Sequence, residues 1–208
     1  MSMEGIRELR ERTGAGLSDC QKAFKKADGD IDKAIQVLRE SGAAKAAKKS
    51  TRQATDGVVS SYIHPGGRVG VLIEVNCETD FAARTDEFQQ LVRDLSMQIA
   101  ASAPRFVQRE EIPAAEVDTE RQIHRAQALQ SGKPEKVIDR IVDGQIEKFF
   151  QEACLLEQPF VKEPDKKVRD LVQDAVARLG VNVVVRRFSR FVLGETVKES
   201  PAGGDAGA

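Results

Sequence analysis

Residues 57–99, GVVSSYIHPGGRVGVLIEVNCETDFAARTDEFQQLVRDLSMQI, decide the fold, because the spacing of apolar residues changes within them. Gly57 to His64 is a β-type run, and Pro65-Gly66-Gly67 is a hairpin turn. Val69, Val71, Ile73, Val75 and Cys77 then alternate, as one buried face of a strand does. Beyond Cys77 the period becomes helical: Phe88, Leu91, Val92, Leu95 and Ile99 form a single stripe that runs until Pro104.

On the N-terminal side, three short helices are expected. Ile6 and Leu9 share a face before Thr13-Gly14-Ala15-Gly16 interrupts it. Ser18 with Gln21 fits a capping box for a second helix carrying Leu17, Cys20 and Phe24. Asp30, closing the turn Asp28-Gly29-Asp30, caps a third with Ile31, Ala34, Ile35 and Leu38. Residues 43–56 lack large apolar side chains and read as a linker with some helical character. On the C-terminal side, helices are expected near 115–130 and 134–150, and a third capped by Asp165 and ended by Gly180. Asn182 to Leu193 is a strand, and 196–208 a disordered tail. The expected class is α+β: a three-helix module (1–42), a linker (43–56) and a core (57–195) whose early hairpin and late strand share an antiparallel sheet.

Composition narrows the function. In 208 residues, 32 Lys+Arg balance 33 Asp+Glu, which excludes a generally basic nucleic-acid wrapper. No apolar run approaches the ~18–20 residues that span a bilayer. Three isolated cysteines, Cys20, Cys77 and Cys154, suit a reducing cytosol, so a cytoplasmic location is expected. No phosphate loop, dinucleotide fingerprint, zinc motif or nucleophile elbow occurs. His64 and His124 stand apart from any motif, and Cys77 reads as a buried thiol. Lys45, Lys48, Lys49 and Arg52 are the best nucleic-acid signal, and equally what a solvated linker contains. No catalytic residue, cofactor, metal, nucleic acid or membrane is expected. An adaptor or nucleic-acid binder built on the helical module is the competing class, which the steep salt dependence of phosphate binding would separate.

One segment stands out between strand and helix: Glu78-Thr79-Asp80-Phe81-Ala82-Ala83-Arg84. Phe81 lies seven residues before Phe88, so in a continuous helix it joins the core stripe, and spacing alone favours that reading. In the other reading Thr79 caps a helix start, and Asp80 and Phe81 project towards a partner as an aromatic anchor beside a carboxylate.

Several motifs carry a family resemblance. They are Leu9-Arg10-x-x-Thr13-Gly14-Ala15-Gly16-x-x-Asp19-Cys20-x-Lys22-Ala23, Asp28-Gly29-Asp30, Glu74 to Phe81, Ile99 to Pro104, Gln130 to Pro134 and Gln158-Pro159-Phe160-Val161. In this order they closely resemble translation elongation factor Ts, in its short form with one core subdomain of dimerisation type and no inserted coiled coil. The resemblance implies a guanine-nucleotide exchange factor that binds elongation factor Tu, both GDP-bound and nucleotide-free, and that admits a homodimer. It further implies a ubiquitin-associated-like module touching the partner through Arg10, Leu17 and Ser18. Thr79, Asp80, Phe81 and Ala82 would enter near the partner's magnesium and phosphate site, with Phe81 as wedge. Gln98 stands where many members carry His, and is expected to face the partner or to make a helix-packing contact.

Overall fold

The computed structural model describes residues 3–131 and 134–195. The 196–208 tail lies outside these.

Three helices open the chain: α1 (Met3–Thr13), α2 (Leu17–Lys26) and α3 (Ile31–Lys49). Their core is Ile6, Leu9, Cys20, Ala23, Phe24, Ala27 and Ala34. Asp30 caps α3 by accepting from Lys33 N at 3.0 Å, as expected. The capping box at Ser18 does not form. Gly16 is the N-cap of α2 and its carbonyl accepts from Cys20 N at 3.0 Å, which leaves Ser18 inside the first turn.

The linker reading of 43–56 is corrected in part. α3 continues through Lys49, a turn and extended chain occupy 50–55, and Asp56 already opens the first strand. The helix persists because its distal half has somewhere to pack: Ala46 is buried in the second core and Gly42 lies against Ala177. Thus α3 contributes to both cores.

That second core rests on a sheet of order β1-β2-β5, all antiparallel, made of β1 (Asp56–Ile63), β2 (Val69–Cys77) and β5 (Val183–Val192). Its inner face presents Val71, Ile73, Val75, Cys77, Val183 and Val185 to the helices α5 (Asp86–Ser102) and α8 (Val168–Leu179). A bulge at Arg186, between the pairs Val75↔Val185 and Glu74↔Arg187, keeps both Val185 and Phe188 on that face. Gly57 has φ 142°, and a Cβ there would sit 2.2 Å from Val75 O, so only glycine lets β1 begin this close to β2.

Between α5 and α8 the chain forms α6 (Ala114–Gln130) and α7 (Glu135–Ala153). The cross-pairs Arg121–Asp143 (2.7 Å) and Arg125–Asp139 (2.5 Å) step in opposite directions along the two helices, so the pair is antiparallel. Its seam of Ala128, Ile138, Val142 and Ile146 is separate from the main core. These are the two helices expected near 115–130 and 134–150.

The expected cap at Asp165 is also corrected. Asp165 lies in β4 (Glu163–Lys167), which pairs with β3 (Pro159–Phe160). α8 begins three residues later at Val168, with Lys167 as its N-cap, whose backbone N donates to Asp170 Oδ2 at 3.3 Å. Gly180 closes α8 with φ 77°, as expected.

Candidate partner-binding site

The segment after β2 does not continue as one helix with α5. Thr79 caps a single turn, α4 (Asp80–Ala83), accepting from Ala82 N at 3.2 Å. Thr85 then caps α5: its hydroxyl accepts from Phe88 N at 3.3 Å and donates to Ala82 O at 2.7 Å. Gln89 Nε2 bonds Ala83 O at 2.7 Å across the corner. Because the helix restarts at Thr85, the offset between Phe81 and Phe88 no longer measures one face. Phe88 is buried, whereas Phe81 is 82% exposed. The core reading favoured by spacing is therefore wrong.

The four expected residues take different places on this corner. Thr79 is its cap, and Ala82 is buried beneath it with Ala83. Asp80 and Phe81 face outward, with Asp80 Oδ2 2.9 Å from Arg84 Nη2. Both members of that ion pair are well exposed, so it adds little to stability. Cys77 lies beneath, its thiol donating to Thr79 O at 3.1 Å, and burial pushes its pKa up. It is a structural thiol.

In the module, Gly14 (φ 65°) reverses the chain between α1 and α2. Arg10 lies in the last turn of α1, Leu17 and Ser18 begin α2, and all three are exposed at the same end of the module. A cleft of about 550 Å³ separates the α1–α2 turn from α8 and β4, and none of the three residues lines it.

Gln98 is placed otherwise than a partner-facing residue requires. It is 0% exposed, in the stripe of α5 beneath residues 158–161. Its amide nitrogen lies 3.1 Å from Ser102 Oγ, Gln158 Oε1 and Pro159 O, and its oxygen accepts from Val161 N at 2.8 Å. The bonding groups of this amide are all used inside the fold, which leaves the helix-packing alternative.

Sequence reasoning passed over Arg84, Asn182 and the inward turn of Glu78. The signal available was polarity at positions flanking apolar strands: Glu78 follows β2 and Asn182 precedes β5. Among the described residues no group of three or more His, Cys, Asp or Glu could hold a metal ion, and no helix is long and apolar enough to cross a membrane.

An exposed aromatic ring on a doubly capped corner, on an α+β core joined by a shared helix to a three-helix module, is the kind of surface a protein-binding factor presents. Comparison with known proteins makes this specific. The model of the family described as Elongation factor TS matches residues 11–195. Elongation factor Ts of Thermoanaerobacter sp. (strain X514) is 55% identical over 200 residues, 96% of this chain and 98% of that protein. Those of Carboxydothermus hydrogenoformans and Herpetosiphon aurantiacus are each 57% identical, over 190 residues (91% of this chain, 88% of that one) and 194 residues (93% and 98%) respectively. The chain belongs to the elongation factor Ts family, the nucleotide exchange factors for elongation factor Tu in translation elongation.

Proposed function

We propose that this chain accelerates GDP release by inserting the Thr79-Asp80-Phe81 corner beside the magnesium and phosphate site of elongation factor Tu. The module holds the same partner through Arg10, Leu17 and Ser18. The observation that carries this reading is Phe81, 82% exposed on a corner whose backbone is fixed by two threonine caps. Such a ring loses little conformational freedom when it enters a pocket, which is what makes aromatic anchors effective. Asp80 beside it brings negative charge towards phosphates and disfavours the arrangement that holds Mg²⁺. No covalent bond changes. A factor that binds nucleotide-free partner more tightly than GDP-bound partner must weaken GDP by the same ratio.

In this reading the module and the core are two docking units, joined through α3. A homodimer is a further proposal, supported by the outer sheet face, where Val59, Ile63, Leu72 and Phe191 are exposed together. Sedimentation velocity of wild type and Leu72→Lys tests it, and a monomer at all concentrations would dismiss it. The main test follows release of labelled GDP from elongation factor Tu with catalytic amounts of the chain. Acceleration without GTP consumption by the chain alone is expected. Unchanged release at micromolar concentrations, with no binding to the partner, would overturn the proposal.

A further inference from the structure

One residue before the cap of α4, the side chain of Glu78 turns back into the protein. Its Oε1 accepts from the backbone N of Asn182 at 2.5 Å, and its Oε2 lies 3.5 Å from Arg52 Nη1. Asn182, itself buried, donates from Nδ2 to Arg52 O at 2.8 Å and to Ser50 O at 3.5 Å. Three segments converge on this carboxylate: the chain leaving α3, the residue entering β5, and the entrance to the Phe81 corner. A carboxylate withdrawn from water is costly unless charged and hydrogen-bonding groups surround it, and here both do. The bonds join segments 26 to 132 residues apart, so they fix tertiary geometry where a local cap would fix only a turn.

We propose that Glu78 is a positioning residue for nucleotide exchange, tying the end of the module-bearing helix α3 to the corner that presents Phe81. The inference rests on the reading that Phe81 enters the partner. Two docking units on one chain reinforce each other only when their separation and angle match the partner's two sites. Glu78 touches both the exit of α3 and the base of the corner, and it acts through Phe81 without needing to meet the partner itself. Glu78→Ala removes both contacts. Glu78→Gln keeps an acceptor for Asn182 N but loses the charge facing Arg52.

The experiment measures GDP release against factor concentration for wild type, Glu78→Ala, Glu78→Gln, Phe81→Ala and Glu78→Ala/Phe81→Ala, each checked by thermal melting. Glu78→Ala is expected to lower the maximal rate at saturating factor by about tenfold or more, because small misplacements of a working group are that costly. Glu78→Gln should fall between it and wild type, and half-saturation should rise in the same order, because mismatched docking units lose part of their mutual reinforcement. The double variant should be no slower than Phe81→Ala alone, the non-additivity of a residue that works through another. A merely structural role would lower the active fraction and slow both backgrounds equally, and that result would overturn the inference. So would a wild-type maximal rate for Glu78→Ala when Phe81→Ala is slow. A wild-type rate for Phe81→Ala would instead remove the wedge reading, and this inference with it. Should Glu78→Ala fail to fold, Glu78→Gln and Glu78→Gln/Phe81→Ala carry the same comparison.

Discussion

Replacing Gln98 is the sharpest stability test of this structure. Gln98→Ala leaves Val161 N without its acceptor, and Gln158 Oε1 and Pro159 O without their shared donor. Ser102, half-buried, can turn to water. Each buried polar group left unpaired costs about 1–3 kcal/mol, and the cavity adds to this. Water entering the vacated space recovers a share, so a net loss of about 3 kcal/mol is expected. For a chain of this size that lowers the melting midpoint by about 6–12 °C. Gln98→Met restores most of the volume but none of the bonds, and should still lose at least half as much. Thermal unfolding reports both values, and GDP release at 25 °C should be that of wild type, since a fully buried side chain cannot meet the partner. A Gln98→Met midpoint within about 2 °C of wild type would refute the claim that these bonds stabilise the fold. Slowed exchange with an unchanged midpoint would refute the claim that Gln98 is purely a packing residue.

Phe81→Ala should shift stability by no more than about 0.5 kcal/mol, because the ring is exposed, while slowing exchange about 30-fold, the equivalent of ~2 kcal/mol; a large fall in melting midpoint would contradict the exposed placement. Burial pushes the Glu157 carboxyl up, but hydrogen bonds from Arg109 and the charges of Arg169, Arg109 and Lys167 outweigh it and hold its pKa below the ordinary carboxylate range. Its stabilising contribution is therefore complete above about pH 4.5 and is lost as pH falls through the lower folded-state value. The difference in melting midpoint between wild type and Glu157→Gln should shrink in acid, and a pH-independent difference would contradict this. All three cysteines are buried, and the Cys154 thiol is pushed up to about 11, first by burial and then by the charge of Glu157. Native protein should resist thiol reagents at pH 7 and react only on unfolding; rapid labelling of a native cysteine would show that a core opens.

Periodicity made the hairpin, the long helix α5 and the C-terminal strand legible, because each buries one face and its apolar residues repeat at that element's own period. It failed at Phe81, where a seven-residue offset looked like two turns of helix. What breaks that helix is the Thr85 hydroxyl, a capping signal that the apolar stripe around it outweighed in the reading. It failed also at residues 43–49, which look like linker because they lack large side chains. Small residues are what α3 needs to lie close to α8, as the contact of Gly42 with Ala177 shows. Gln98 adjoins Ile99 in the stripe of α5. Its burial depends on Pro159 and Val161, some sixty residues away, a distance over which no periodicity carries information. The docking residues proposed for the module rest on family resemblance alone: an exposed Arg10 has no pattern of its own, and Leu17 reads as part of a stripe with Cys20 and Phe24.

Since one helix passes through both cores, its residue count acts as a phase. A single residue inserted near Gly42 would turn everything before it by about 100° around the helix axis and displace it by about 1.5 Å. Neither core would lose a side chain, yet Arg10, Leu17 and Ser18 would face another direction relative to Phe81. Four inserted residues would nearly restore the direction but add about 6 Å of length. In α3, then, the number of residues between Leu38 and Ala46 is as much a specification as their identity, because a rigid rod counts turns where a flexible tether would forgive them.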